Sequence, residues 1–282
     1  MKVFTMKDGT VATFRPEENA KRLYASAERM VMEPVPIDIF LKTMDRVVNL
    51  NRDYVPPYGT GASMYLRPLL LGASPHVGVN PSEDYDFYML AMPVGPYYKN
   101  GFLPIRAFVQ EEYDRAAPSG VGHVKAGGNY GAGMKAFKVG KEKGYPICLF
   151  LDSATHTYID EFNTSNFVGI TKDNKYVTPE SPSILPSITN KSLLTLAQDL
   201  GLTVERRPIR IDELDQFVEV GACGTAAVIT PIYSITYKDK TFTFGQEDVA
   251  GETLTKLYNQ LQGIQYGEVE DRHGWMVPIK DR

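Results

Sequence analysis

Apolar positions along this chain recur with two different periods, and the switches between them mark out its elements. MKVFTMKDGTVATF, residues 1–14, alternates on both sides of a KDG turn, the pattern of a β-hairpin. From Pro16 the period lengthens: Leu23, Ala27 and Met30 recur at helical spacing in FRPEENAKRLYASAERM, with proline in the first turn and acidic residues behind it. Ile37, Phe40, Met44 and Val47 form a second such stripe in PVPIDIFLKTMDRVVNL. SMYLRPLLLGA and DYDFYMLAMPVG read as strands separated by the loop or edge segment PHVGVNPSED, and PYYKNGFLPIRAFVQ continues extended.

EEYDRAAPSGVG, residues 111–122, is polar, rich in proline and glycine, and without period. It is the expected interdomain loop, between a small domain at 1–110 and a large domain at 123–282. The large domain should open with a helix from about Asn129 to Lys143, followed by strands at PICLFLD, SNFVGIT and NKYVTP. SITNKSLLTLAQDLG carries Leu193, Leu196, Ala197 and Leu200 on one stripe, with Gly201 placed to stop the helix. Strands at LTVERRPIRI, TAAVITPIYSITY and KTFTFG follow, and VAGETLTKLYNQLQGIQYG closes the chain's pattern as a helix. Strands and helices alternate irregularly and no repeat is present, so α+β is the expected class rather than a doubly wound sheet.

Composition narrows the function classes. Hydrophobic content of 43% and charged content of 23% are those of a globular protein. The net charge of −4, with basic residues spread along the chain, argues against a nucleic-acid partner. No apolar run approaches the roughly 18 residues that span a bilayer. Two cysteines, Cys148 and Cys223, and no signal-peptide core make a reducing, cytoplasmic setting the expectation.

VGHVKAGGNYGAGMK, residues 121–135, raises the question of phosphate. Gly128 and Gly133 have Walker-loop separation, but Met134 stands where lysine is required. Gly131 and Gly133 begin a dinucleotide fingerprint that Ala136 does not complete. Glycines turning into a helix explain the stretch as well. His76, His123, His156 and His273 lie far apart without ligand spacing, so no metal site is expected. No G-x-S-x-G elbow occurs. Cys223 lies in GACGTAA, either a packed turn or a close backbone approach to a ligand. At ILPSITNKSLL the N–H groups of Ile188 and Thr189 fall at a helix N-terminus, where the dipole favours an anion. Every helix has such an end. With GACGTAA and a lysine in a glycine loop, however, the set begins to suit a phosphorylated cofactor.

HVKAGGNY, IDEFNTSNF, ILPSIT and GTAAVITPI, in this order and at these spacings, resemble the motifs of branched-chain amino-acid aminotransferases. These are two-domain, D-amino-acid-aminotransferase-like (fold type IV) enzymes that use pyridoxal 5'-phosphate. FRPEENAKRLYASA, MYLRPLLLG and IQYG followed by Trp275 extend the resemblance over essentially the whole chain. It implies that Lys125, rather than Lys135, forms the Schiff base with the cofactor and carries the proton in transamination. Glu161, 36 residues later, would meet the ring nitrogen, and Tyr130 the ring hydroxyl. Arg22, Ile188, Thr189 and Thr225 would hold the phosphate; Arg22 alone would pass for a surface helix arginine. Tyr65, Arg67, Thr164 and Ala226 match residues near substrate carboxylates. Val77 and Val79 match a loop that in relatives reaches the neighbouring subunit, implying a homodimer. The implied reaction exchanges an amino group between L-leucine, L-isoleucine or L-valine and 2-oxoglutarate. A D-amino-acid aminotransferase or aminodeoxychorismate lyase is the alternative on the same fold.

Asn163 and Val168 depart from the family's usual small and aromatic residues. Ala227 and Thr230 stand where some relatives carry a redox C-x-x-C, so that thiol switch should be absent. Relatives normally carry a further segment before the hairpin, including an H-Y-G-Q-x-x-F-E-G-like strand. The resemblance therefore implies a nearly complete cofactor site with a compromised substrate wall, or a cofactor-binding form with little turnover.

Overall fold

The computed structural model describes residues 1–98 and 101–280. Two compact units result, Met1–Tyr97 with Gln262–Arg282, and Tyr98–Leu261. The chain thus changes unit at Tyr97/Tyr98 and returns at Gln262, not at 111–122. That stretch lies inside the second unit, and its polar composition reflects turns around a buried arginine described below.

In the first unit, the alternating N-terminus forms strands β1 (Lys2–Thr5) and β2 (Val11–Phe14), paired antiparallel. Helices α1 (Pro16–Arg29) and α2 (Ile37–Leu50) follow, then strands β3 (Ser63–Gly72) and β4 (Tyr85–Val94), which pair over all ten residues. The strand Met276–Pro278 adds to β2, giving an antiparallel sheet whose order is this strand, β2, β1, β3, β4. Val3, Val11, Met64 and Leu66 pack with Ala20 of α1 and Phe40, Met44 and Val48 of α2. The alternate positions Leu69, Leu71, Tyr88, Leu90 and Met92 are exposed, so the β3–β4 end of the sheet is covered on one face, whereas β2 is buried on both. The α1 stripe is narrower than expected: Ala20 and Ala27 are buried, while Met30 caps the helix and is exposed.

The second unit contains β5 (Ile105–Gln110), α3 (Gly127–Glu142), β6 (Ile147–Leu151), β7 (Ile159–Phe162), β8 (Asn166–Thr171) and β9 (Lys175–Pro179). Then come α4 (Ile188–Asp199), β10 (Thr203–Arg207), β11 (Phe217–Gly224), β12 (Val228–Tyr237) and β13 (Lys240–Thr243). Helix α5 (Glu252–Tyr266) leads out of it. Strand order is β10-β9-β8-β11-β12-β5-β6-β7, with β13 on β12. Because β7 also pairs with β8, the strands from β8 round to β7 close on themselves. Leu149, Ile159, Phe162, Phe167, Val220 and Ile232 belong to the main core. A smaller cluster, Phe108, Ala136, Cys148 and Phe150, includes Ala136 of α3.

The α+β expectation holds, and Gly201 at φ +80° ends α4 as its position suggested. Leu200 is exposed at the helix cap, whereas Leu193, Leu196 and Ala197 are buried. Strands β7 and β11 have no separate signal in the hydrophobic pattern. Most of GACGTAA is not a turn: Gly221, Ala222, Cys223 and Gly224 lie within β11, and at Gly221 the surroundings leave no room for a larger side chain. A Cβ at Gly221 would sit 3.0 Å from Ile229 and 3.2 Å from both Leu254 and Val168. Of the extended stretch over 96–110, Lys99 and Asn100 fall outside the described residues.

The closed strand ring is tightly filled at Gly169, where a Cβ would lie 2.4 Å from the Phe217 ring. Gly169→Ala should cost about 1–3 kcal/mol through overpacking, read as a lower urea midpoint.

Candidate active site

The loop from Val121 to Tyr130 is shaped by one side chain. Asn129 Nδ2 donates to the carbonyls of Val121 at 2.8 Å and Val124 at 2.9 Å, folding the loop back onto the start of α3. Lys125 is thereby presented at the surface of the second unit, and its Nζ donates to Tyr130 Oη at 3.0 Å. Gly127 and Gly128 open α3 two residues earlier than the periodicity suggests. Nothing lies within 4 Å of where their Cβ atoms would be, so a flat ligand can approach the backbone there. Lys135 is an exposed lysine of α3.

Glu161, on β7, is buried at 4% exposure, and its partners explain how a carboxylate is tolerated there. Oε1 lies 3.0 Å from Arg115 Nη1 and accepts from the Leu185 amide at 3.3 Å; Oε2 accepts from Asn166 Nδ2 at 2.6 Å. Arg115 is itself buried, and its Nη2 donates to the carbonyls of Gly122 and Ser183. One guanidinium therefore joins the lysine loop, the carboxylate and the segment leading to α4. Burial pushes the Glu161 carboxyl up to about 7, opposed by Arg115, the Leu185 amide and Asn166. The neighbouring Asp160 is also raised by burial, with Ser181 and Arg115 pulling it back.

Helix α4 begins at Ile188 with Ser187 as its N-cap, whose Oγ accepts from Asn190 N at 3.2 Å. The amides of Ile188 and Thr189 belong to the first turn, where a helix favours an anion. Gly224 pairs with Val228, so Thr225, Ala226 and Ala227 form a three-residue hairpin loop. Val228 takes φ +67°, an uncommon conformation for a β-branched residue, and it is buried, so the interior holds this loop in a strained form. Register fixes the rest: Glu161 pairs with Asn166, and Asn166 with Cys223, in one row across β7, β8 and β11. The Thr164–Ser165 turn lies beside Gly224, whose added Cβ would be 3.7 Å from Ser165 Cβ and 3.8 Å from Thr164 O.

The second unit thus assembles Glu161 with its partners, pairs Lys125 with Tyr130, and sets Thr164 beside the strand end that carries Thr225 and Ala226. Arg22, Tyr65, Arg67, Val77 and Val79 lie in the first unit. Arg22 is on α1, and its Nη2 reaches Asn19 Oδ1 at 3.4 Å. On β3 the Arg67 guanidinium lies 5.5 Å from the centre of the Tyr65 ring. Val77 and Val79 are fully exposed. Arg115 has no counterpart among the residues singled out in the sequence, because a lone arginine in a polar, aperiodic stretch carries no pattern. Asn129 and Asn166 were visible within their motifs, but their bonds depend on tertiary geometry.

Both thiols are buried and free; that of Cys148 is pushed up to about 12, and that of Cys223 higher still. Among the described residues no group of three or more His, Cys, Asp or Glu side chains could hold a metal ion, and no helix is long and apolar enough to cross a membrane.

The profile of the class IV amino-transferases matches residues 2–235. The branched-chain-amino-acid aminotransferase of Haemophilus influenzae is 44% identical over 286 residues, covering 99% of this chain and 83% of that protein. That of Helicobacter pylori is 46% identical over 281 residues, covering 99% and 82%. Among solved structures, the branched-chain amino acid aminotransferase of Thermobaculum terrenum in its PLP-form matches with a TM-score of 0.82. It is 25% identical, covering 99% of this chain and 87% of that one.

Because Glu161 rises from an ordinary 4.5 to about 7 on folding, the folded state binds its proton more tightly. The resulting stability is present below pH 4.5 and is lost as pH rises through 7. Between pH 5 and 8 the cofactor-free protein should therefore lose thermal midpoint relative to Glu161→Gln. The pH slope of the difference is the measurement, since it is independent of any constant offset between the two.

Proposed function

This chain belongs to the class IV aminotransferases, and on that premise we propose that it transfers an amino group reversibly between L-leucine, L-isoleucine or L-valine and 2-oxoglutarate, with pyridoxal 5'-phosphate as cofactor. The observation that carries this reading is the Lys125 amine, 3.0 Å from the Tyr130 hydroxyl at the open glycines of α3.

The donor set suits the cofactor. The amine fits its aldehyde, the Glu161 carboxylate its ring nitrogen, and the first turn of α4 its phosphate. The empty space over Gly127 and Gly128 is what a flat ring requires. When bound, pyridoxal 5'-phosphate supplies a carbonyl for amines and an electron-withdrawing ring for the electron pair left at the substrate's Cα.

The protein's own groups then have distinct tasks. Lys125 Nζ removes the Cα proton as general base, and Tyr130 Oη orients that amine and donates to the ring hydroxyl oxygen. Glu161, held by Arg115, keeps a proton on the ring nitrogen. In the second unit the Ile188 and Thr189 amides and the Thr225 hydroxyl would bind phosphate. Thr164 and the Ala226 amide, in the second unit, would bind a substrate carboxylate. An apolar pocket separates side chains differing by one methylene by only about 1–3 kcal/mol, so all three branched-chain amino acids should be used. We propose too that the working form is a cytoplasmic homodimer. Val77 and Val79 are apolar side chains standing fully exposed, which a second copy would cover.

Lys125→Ala should abolish the visible cofactor band and lower transamination of L-leucine by about 10³-fold or more. In the unsubstituted protein L-leucine should shift the band and D-alanine should not. A normal band in Lys125→Ala, or a response to D-alanine alone, would overturn the reading.

A further inference from the structure

Behind the row from Glu161 to Cys223 runs a buried chain of hydrogen bonds whose direction is forced at each link. Asn166 faces two acceptors, Glu161 Oε2 at 2.6 Å and the Leu185 carbonyl at 3.2 Å, so its amide nitrogen must point to both. Its oxygen is left to accept from Asn190 Nδ2 at 3.5 Å. Thr178 uses its hydroxyl hydrogen on the Phe167 carbonyl, so it can only accept from Asn190, at 2.9 Å. Asn190 Oδ1 is then fixed toward the Tyr176 hydroxyl, which donates at 2.8 Å. Asn166, Thr178 and Tyr176 are at most 3% exposed, and Asn190 is 9% exposed.

These bonds close on a single segment. Leu185, at its start, gives its amide to Glu161 and its carbonyl to Asn166. Asn190, at its end, lies in the first turn of α4 beside Ile188 and Thr189 and reaches the same Asn166. One asparagine therefore braces both ends of Leu185–Asn190 against the carboxylate.

We propose that Asn166 and Asn190 are positioning residues that fix the first turn of α4 relative to Glu161. A ligand with phosphate at one end and a basic ring nitrogen at the other is then held at both ends at once. This presupposes the cofactor placement given above. Both asparagines bond protein groups, Asn166 to Glu161, Leu185 and Asn190, and Asn190 to Thr178 and Tyr176. Their contribution is to remove relative motion between two anchoring points, which would otherwise be frozen out on binding.

The test titrates cofactor-free protein with pyridoxal 5'-phosphate and, in competition, with inorganic phosphate, which makes no use of Glu161. Asn166→Ala and Asn190→Ala should each weaken pyridoxal 5'-phosphate about tenfold, the size of one lost hydrogen bond. Inorganic phosphate should change by less than about twofold. In a Glu161→Gln background the Asn166→Ala loss should shrink to within about twofold, since one end of the brace is then uncharged. Should either alanine variant fail to fold, Tyr176→Phe removes only the hydroxyl that holds Asn190, and it should weaken pyridoxal 5'-phosphate selectively in the same way. Equal losses for both ligands, or an undiminished loss in the Glu161→Gln background, would overturn the proposal. Failure of the cofactor reading itself would appear separately, as unsubstituted protein without saturable pyridoxal 5'-phosphate binding.

Discussion

A carboxylate taken out of water must be repaid in hydrogen bonds and opposite charge, and Glu161 imposes that demand on the second unit. An isolated buried ion costs several kcal/mol even after relaxation, so partners must arrive from other parts of the chain. They come from three places: Arg115 from the stretch after β5, Leu185 from the approach to α4, and Asn166 from the next strand. Because Arg115 also bonds the carbonyls of Gly122 and Ser183, satisfying one charge brings the lysine loop and the approach to the α4 N-terminus to the same place. The neighbouring geometry follows from that convergence.

Strand register translates this local demand into a site. Glu161, Asn166 and Cys223 occupy one row across three strands, and the hairpin loop of Thr225–Ala227 follows two residues beyond the row. Alternation along a strand means that a slip of one residue would turn Glu161 away and replace it with Asp160 or Phe162. The closed ring of strands guards against such a slip, since β7 is paired on both sides, with β6 and with β8.

The long periodic elements were legible in the sequence. The hairpin, α1, α2, α4, α5 and the β3–β4 pair each carry enough repeats of one period to identify themselves. What was not legible has a common physical cause. The second half of β11 is made of small residues, and at Gly221 the crowding comes from Ile229, Leu254 and Val168, neighbours distant in sequence. β7 spans only four residues, too few for a period to show. The unit boundary was displaced because a polar, glycine-rich stretch looks the same whether it joins domains or wraps a buried arginine. Ordered motifs single out Lys125, Tyr130 and Glu161, whereas Arg115 and Asn190 emerge only from tertiary bonds.

Val228 gives this protein a built-in conflict between durability and precision. A directed search for heat-resistant variants would favour residues that accept a left-handed backbone more readily at that position, glycine or asparagine foremost. The same change would empty the buried space that the valine fills and release the grip of the interior on Thr225 and Ala226. Selection for robustness alone would therefore drift toward a looser hairpin.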